Sequence, residues 1–324
     1  MADPRLPAPL QAAIAELLAA SGNVARRAGA QSEAYRASRP SADVVADGAD
    51  LAAYVAVRLP ATYAAIAEVL EEIGRRAPGF APKSLLDAGT GPGTAAWAAT
   101  AAFGSLQHIT LVDHNRSFLA MAGRLAAASP APALAAAERL KGTLLAPPPG
   151  ERRFDLVVTG YALTELPDHE VVDAALRLWK RCDGVLAIIE PGRTRDYQRL
   201  MMIRTALFEA GATIVGPCPH ERACPLPAGD WCHFSVRLPR SRAHVQAKGA
   251  SLGYEDEKFS YLAVARPAIA ARPVAARVVR QPVVRKFEVE LPLCGTTGLE
   301  QRAVARRDPA FKVARKLDWG DGLD

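Results

Sequence analysis

The sequence predicts an α/β fold, with a doubly wound sheet, a helical extension before it and a β-rich, cysteine-containing region after it. Three observations predict this arrangement. Short apolar runs alternate with helical patterns over about 130 residues, as they do in folds with a mostly parallel sheet. A glycine-rich turn follows the first of these runs. Three of the five cysteines lie close together just beyond the last run.

Residues 1–80 are predicted to be a helical region. Apolar side chains recur at spacings of three and four residues from Leu6 to Leu18, which gives a helix with one apolar face. A second pattern of this kind begins at Ala52. Because proline interrupts a helix, this second pattern is predicted to break at Pro60 and to resume beyond it.

Five strands are predicted between residues 81 and 216, which we take as one domain. They are short apolar runs separated by helical patterns, and they lie at 84–89, 108–113, 154–159, 184–190 and 213–215. After Gly216 the alternation stops, and residues 217–324 are predicted to form a separate β-rich region. Its expected strands lie at 233–238, 259–266 and 286–293.

The formal net charge of +6 is concentrated in the last third of the chain. Residues 1–216 contain 22 Lys and Arg against 22 Asp and Glu, whereas residues 217–324 contain 18 against 12. A basic region of this kind predicts a polyanionic partner such as RNA, and a solvated basic surface is the alternative. We expect no DNA partner.

Neither a membrane span nor a targeting segment is predicted. The most apolar stretch, residues 51–70, is interrupted by Arg58, Pro60 and Glu68. The chain begins MADPRLP, which lacks the basic and then apolar layout of a signal peptide and the Arg/Ser-rich composition of a presequence. These features predict a cytoplasmic protein that does not contact membranes.

The glycine-rich turn has the pattern Asp87-x-Gly89-x-Gly91-x-Gly93 and stands between a predicted strand and a predicted helix. Glycines at such a turn let the backbone approach a ligand, and the helix start offers unpaired N–H groups. Asp113 ends the next strand, where a carboxylate can accept hydrogen bonds from both ribose hydroxyls. The combination predicts a nucleoside-containing cofactor, with a tight turn that binds no ligand as the alternative.

The G-x-G-x-G spacing, with an acid two residues before the first glycine, resembles motif I of the class I S-adenosylmethionine-dependent methyltransferases. The resemblance implies that the three glycines line the methionine part of the cofactor and that Asp113 holds the ribose. The predicted cofactor-binding residues are therefore Asp87, Gly89, Gly91, Gly93 and Asp113. Catalytic residues are not evident, because residues 159–163 lack the Asn/Asp-Pro-Pro-aromatic tetrad of amino-methylating enzymes. Cys182 is predicted to be a buried, inert thiol.

The cysteine cluster has the spacing C-x5-C-x7-C, formed by Cys218, Cys224 and Cys232, and Cys294 follows 62 residues later. Four thiolates satisfy either tetrahedral zinc or an iron–sulfur cluster by count. Paired C-x2-4-C knuckles are absent, and prolines follow two of the cysteines, which favours iron–sulfur. His220 and His233 are alternative ligands, and four unrelated buried thiols are the alternative to any metal site.

Several segments together are similar to the Rsm22 family of methyltransferase-like proteins of the small ribosomal subunit. They are AYVAVRLPATYAA (53–65), LLDAGTGPGTAAWAA (85–99), the cysteine block with WCHF (231–234), EKFSYLAVAR (257–266) and ARKLDWGD (314–321). The resemblance implies a [4Fe-4S] cluster on Cys218, Cys224, Cys232 and Cys294. It also implies a partnership with the rRNA and proteins of the small ribosomal subunit during assembly.

Three hypotheses of function follow from these features. The first is an rRNA-binding assembly factor that binds S-adenosylmethionine within 81–216 and the cluster within 217–324. The second is an active S-adenosylmethionine-dependent rRNA methyltransferase. The third is an iron–sulfur redox sensor of translation. The missing tetrad favours the first hypothesis over the second.

Overall fold

The computed structural model describes residues 5–20, 48–146, 150, 152–239 and 253–324 of the 324-residue chain. Two helices come first, α1 at Ala8–Ala19 and α2 at Gly48–Arg76. The predicted break at Pro60 is wrong, because α2 continues through this residue. The hydroxyl of Thr62 donates to the carbonyl of Arg58 at 3.0 Å, and burial of the apolar side chains around Pro60 outweighs its poor helix propensity.

Helix α2 runs through the middle of the protein. Within the described residues it is long and apolar enough to cross a membrane, yet 78% of its apolar window is buried inside the protein. It packs on α1 and also on strands and helices of the α/β domain. Its role in this fold is therefore that of a core helix.

The central sheet contains eight strands of the described chain. They are β1 (Ser84–Ala88), β2 (His108–Asp113), β3 (Glu138–Lys141), β4 (Phe154–Gly160), β5 (Cys182–Pro191), β6 (Thr213–Gly216), β7 (Phe234–Pro239) and β8 (Tyr254–Ala265). The order is β3-β2-β1-β4-β5-β8-β6, and β7 pairs with β8. Strands β1 to β5 pair in parallel, whereas β8 pairs antiparallel with both β5 and β6.

Besides α2, the described chain has five helices that flank this sheet: α3 (Thr94–Ala102), α4 (Arg116–Ala126), α5 (Pro132–Ala135), α6 (Val171–Lys180) and α7 (Thr194–Glu209). Successive strand residues point to opposite faces, so each face has its own core. Leu85 and Leu111 pack in one core, and their neighbours Leu86 and Val112 pack in the other. The predicted doubly wound α/β fold is confirmed.

A second, smaller sheet is antiparallel. It contains β9 (Ala276–Val278), β10 (Val283–Val284), β11 (Glu288–Gly295), β12 (Gly298–Ala305) and β13 (Gly322–Leu323), and helix α8 (Phe311–Ala314) packs on it. β11 pairs along its length with β12, and also with β10 and β9. The core of this sheet is apolar, with Val278, Leu291 and Phe311 buried in it.

The chain after Gly216 contributes to both sheets. Strands β7 and β8 complete the central sheet, and only residues beyond Ala265 form the second one. This arrangement differs from the expected boundary at 216, because β8 is a buried run that fits between β5 and β6. The run lies late in the sequence, so its place in the central sheet depends on long-range pairing that local periodicity does not reveal.

Candidate functional site

The glycine-rich turn links the end of β1 to the start of α3. Gly89, Gly91 and Gly93 have φ angles of 70°, 52° and 89°, a region that L side chains rarely adopt. A Cβ on Gly89 would lie only 2.4 Å from the Cβ of Ala162, so this position also lacks room. Gly93 is the N-cap of α3. The backbone conformation therefore explains the three glycines.

Two carboxylates support this turn. Asp113 Oδ2 accepts a hydrogen bond from the Gly91 amide at 2.9 Å, and its Oδ1 accepts one from the Asn115 amide at 2.8 Å. Asp87 Oδ2 accepts from the Thr90 hydroxyl at 2.7 Å and from a backbone amide of α3. Burial raises the pKa of Asp87 to about 7 against the effect of these hydrogen bonds.

A cavity of about 250 Å³ lies over the turn. Four of the five predicted cofactor-binding residues line it, namely Asp87, Gly89, Gly91 and Asp113, whereas Gly93 lies at the start of α3. The opposite walls come from α2, from residues 142–144 after β3 and from residues 160–162 after β4. The cavity is thus bounded by the carboxyl ends of β1, β2 and β4, where α/β folds bind nucleoside ligands.

Tyr161 occupies the position after β4 where methylating enzymes carry polar groups. Its φ of 60° is unusual for a residue with a side chain. Its hydroxyl donates to Glu257 Oε1 at 2.9 Å, and Arg58 lies 3.6 Å from the same oxygen. Sequence reasoning missed this arrangement, because its three members come from α2, from the residue after β4 and from β8.

Glu190 ends β5 at the same edge of the sheet, but it does not line the cavity. Its two carboxylate oxygens accept hydrogen bonds from the amides of Leu163 and Thr164, at 3.0 and 2.8 Å. Burial and the neighbouring Asp196 carboxylate raise the pKa of Glu190 to about 8. Glu190 therefore holds the loop that follows Tyr161.

The four cysteines predicted as ligands line a single second cavity, although Cys294 lies on β11 and the other three precede β7. Polar side chains lie beside their sulfur atoms, and one of them, Arg204, hydrogen-bonds to Cys218. The Tyr197 hydroxyl lies 3.0 Å from Cys224 Sγ, and His220 Nε2 lies 3.8 Å from Cys294 Sγ. The fifth cysteine, Cys182, is buried elsewhere, and burial raises the pKa of its thiol to about 12.

Four thiols around one cavity are a donor set that suits either zinc or an iron–sulfur cluster by its chemistry. In the described part of the chain, however, no group of three or more His, Cys, Asp or Glu is placed so that it could hold a metal ion. Zinc would need all its ligand atoms within about 2.3 Å of one point, whereas a cubane has a separate iron for each thiolate. The cavity that these thiols help to line has an open volume of about 30 Å³.

Burial and the proximity of the other cysteines raise the pKa values of these thiols. For Cys218, burial has the larger effect, and the neighbouring Cys224 raises the pKa further. Burial and the neighbouring Cys218 and Cys224 raise the pKa of Cys294 to about 12, and the same influences raise the pKa of Cys232. Thiolates at this place need a cationic partner.

Arg277 of β9 lines the cysteine cavity and is itself buried. Its guanidinium donates to the Pro217 carbonyl at 3.0 Å, to the Gly320 carbonyl at 2.9 Å and to Glu72 Oε1 at 2.7 Å. One side chain therefore joins the cysteine block, the C-terminal segment and helix α2.

The basic residues of the last third have different environments. Arg277 is buried, and Arg266 stacks over the Trp179 ring at 3.8 Å while donating to two carbonyls, so neither is free to contact a phosphate. Other basic side chains are exposed on the second sheet, on α8 or in the segments next to them; they are Arg272, Lys286, Arg302, Arg306, Arg307, Lys312, Arg315 and Lys316.

The fold defines a methyltransferase-like α/β protein, with a cavity of about 250 Å³ over its glycine-rich turn. The sequence pattern of the family described as "Mitochondrial small ribosomal subunit Rsm22" matches residues 48–324. The chain therefore belongs to the Rsm22 family, as its sequence motifs predicted.

Two relatives are similar over most of the chain. The human "Ribosome assembly protein METTL17, mitochondrial" is 28% identical over 285 residues, which cover 83% of this chain and 61% of that protein. The fission yeast "Rsm22-cox11 tandem protein 2, mitochondrial" (Schizosaccharomyces pombe) is 24% identical over 322 residues, covering 83% of this chain and 42% of that protein. The chain thus spans less than two thirds of the length of either relative.

Two solved methyltransferase structures are also similar. Magnesium protoporphyrin IX methyltransferase from Synechocystis PCC 6803 has a TM-score of 0.42 and 14% identity, over 64% of this chain and 80% of that one. The ribosomal protein L11 methylase from Lactobacillus delbrueckii has a TM-score of 0.38 and 20% identity, over 62% and 76%.

The predicted cytoplasmic location is wrong. The family is described as mitochondrial, and so are the human and fission yeast relatives. The prediction depended only on the composition of the first residues, and the match to a mitochondrial family overturns it.

Proposed function

We propose that this protein is an rRNA-binding assembly factor of the small ribosomal subunit that binds S-adenosylmethionine and a [4Fe-4S] cluster. The observation that carries the proposal is the convergence of Cys294 with Cys218, Cys224 and Cys232 around one cavity, in a member of the Rsm22 family. The name of the human relative, a ribosome assembly protein, supports the same function.

The proposed S-adenosylmethionine site is the cavity over the glycine-rich turn. The cofactor supplies an activated methyl group when bound. Asp113 would accept the ribose hydroxyls with the lone pairs that its backbone partners leave free, and Asp87 would hold the turn in shape. Gly89, Gly91 and Gly93 would let the backbone approach the methionine part, while Thr62 and Ile66 of α2 close the cavity from the other side.

The proposed cluster ligands are Cys218, Cys224, Cys232 and Cys294. Soft thiolates are the usual ligands of iron–sulfur clusters, and arginine beside them offsets the negative charge of the loaded site. Arg277 lies in that position, and Tyr197 can donate a hydrogen bond to the Cys224 sulfur. Ligation would close a 62-residue loop between Cys232 and Cys294, so metal-binding energy would become folding energy for the second sheet.

Methyl transfer is not part of the proposal. The polar side chain after β4 is already engaged within the protein. The Tyr161 hydroxyl donates to Glu257, and Arg58 lies beside the same carboxylate. A catalytic group must instead be able to reach the reacting atoms of a bound acceptor. The redox-sensor hypothesis also lacks an observation that favours it over a structural cluster.

Complementation tests this function. A strain that lacks the protein should accumulate immature small ribosomal subunits, and the wild-type chain should restore mature ones. Cys182→Ser should restore them too, because Cys182 lies outside the cysteine cavity, whereas Cys294→Ser should not. Normal small subunits in the strain without the protein would overturn the assembly function. Full rescue by Cys294→Ser would overturn the need for the cluster.

A further inference from the structure

An exposed aromatic side chain stands at the turn between β10 and β11. Phe287 is 63% exposed, and Val284 beside it on β10 is 49% exposed. The turn is nevertheless fixed by the backbone: the Arg285 amide donates to the Glu288 carbonyl at 2.9 Å, and the Arg306 amide donates to the Phe287 carbonyl at 2.7 Å. The ring is therefore presented by an ordered turn and not by a chain end.

The charge around this ring is positive. Lys286 Nζ lies 5.2 Å from the centre of the Phe287 ring, and Arg306 and Arg307 are exposed on the neighbouring turn after β12. Among the described residues, none of these three cations lies in an ion pair. Arg285 differs, because it pairs with Glu288 and Glu290, and the only other acid next to these cations in the described sequence is Asp308, which follows Arg307. The Phe287 ring is therefore accompanied by three cations that lie in no ion pair of the described residues.

We propose that Phe287 stacks on an unpaired base of small-subunit rRNA, while Lys286, Arg306 and Arg307 contact the phosphates on either side. The inference depends on the proposed rRNA-binding function and assigns one contact within it. Every base offers a π face to an aromatic ring, and the surrounding cations match a phosphate backbone. The excess positive charge favours a polyanion over an apolar protein surface as the partner of this ring.

Stacking predicts a preference for unpaired RNA. A base within a duplex has both faces covered, so Phe287 gains nothing from it, while the cations contact the phosphates of either form. A binding experiment should therefore distinguish the contribution of the ring from that of the cations. Removal of the ring should change affinity for loops only, and removal of the cations should change the dependence on salt.

The test uses the full-length protein prepared anaerobically, a small-subunit rRNA fragment with single-stranded loops, and a fully paired RNA duplex of equal length. Phe287→Ala should weaken binding of the loop RNA about tenfold, within the range known for base–aromatic stacking. The salt dependence of loop-RNA binding by Phe287→Ala, and the affinity of this variant for the duplex, should equal those of the wild type. Phe287→Trp should retain wild-type affinity. Arg306→Gln with Arg307→Gln should instead reduce the salt slope on the loop RNA by about 1.4, about 0.7 for each lost phosphate contact.

Val313 provides a matched control, since it is 64% exposed on α8 and equally apolar. Val313→Ala should bind loop RNA like the wild type. If wild-type protein binds rRNA but Phe287→Ala binds loops equally well, the stacking contact is refuted while the proposed function stands. If Phe287→Ala loses a small-subunit protein and keeps its RNA affinity, the ring is a protein contact and the inference is refuted. If the wild type binds no rRNA, the rRNA-binding function and the stacking contact fail together.

Discussion

Arg277 Nη2 donates to Glu72 Oε1 at 2.7 Å, joining β9 to α2 across 205 positions of the sequence. Both side chains are buried. The same α2 carries Thr62 and Ile66 to the cavity over the glycine-rich turn, and the same Arg277 lines the cysteine cavity. A single ion pair therefore connects the elements that carry the two candidate sites.

Substitution of Glu72 should destabilise the fold in a pH-dependent way. Burial disfavours the charge of Glu72, but Arg277, assisted by Arg75 and Arg76, outweighs it and lowers the pKa of Glu72 to about 2. Since the folded pKa is depressed, the stabilisation is present above pH 4.5 and is lost as the pH falls towards 2.

Glu72→Gln should therefore lower the free energy of unfolding at pH 7 by about 3 kcal/mol, because it leaves Arg277 buried without its counter-charge. Urea unfolding at pH 7 and pH 3 measures this loss, and the difference from wild type should shrink at the lower pH. Glu71→Gln is the matched control, since Glu71 pairs with Arg75 on the surface of the same helix. Equal losses of unfolding free energy in Glu72→Gln and Glu71→Gln would show that the buried pair stabilises the fold no more than the surface pair.

Substitution of Asp113 should weaken S-adenosylmethionine binding. Asp113→Ala removes the acceptor expected to hold the ribose and the support of the Gly91 amide, so affinity should fall at least tenfold. Isothermal titration calorimetry measures it. Asp155→Ala is the control, because Asp155 accepts from the amides of Lys83 and Ser84 at the opposite end of β1. It should cost stability but not affinity; unchanged binding by Asp113→Ala would exclude the proposed site.

The stabilisation that Glu190 gives to the fold should be lost as the pH rises. Its folded pKa of about 8 lies above its ordinary value of 4.5. The folded state therefore binds the proton more tightly, and this stabilisation is complete below pH 4.5 and lost as the pH rises through 8. Denaturant unfolding between pH 5 and pH 8 should show a shallower pH dependence in Glu190→Gln than in wild type. Parallel curves for the two proteins would show that Glu190 does not titrate in this range.

The parts of the fold that local sequence determines were predictable. Strands such as Phe154–Gly160 are apolar runs, and the glycines at 89, 91 and 93 mark a turn that needs positive φ. Long-range contacts decided the rest. Burial lets α2 pass through Pro60, and pairing with β5 and β6 places β8 in the central sheet.

Among the site residues, the cysteines were identified by spacing, but two other features needed the structure. In the sequence Arg277 is one of the 18 basic residues of positions 217–324, and only its burial beside Glu72 distinguishes it. The contact between Tyr161 and Glu257 spans 96 positions, and no local pattern marks either residue. Polar pairs formed between distant elements leave no periodic signal in a sequence.

The cluster that we propose on Cys218, Cys224, Cys232 and Cys294 would fasten the second sheet to the α/β domain. The most direct measurement is the iron, zinc and acid-labile sulfide content of anaerobically purified wild type, Cys182→Ser and Cys294→Ser. Wild type and Cys182→Ser should contain about four iron and four sulfide per chain, and Cys294→Ser should contain far less of both. Stoichiometric zinc without sulfide in the wild type, after preparation with iron available, would contradict the claim.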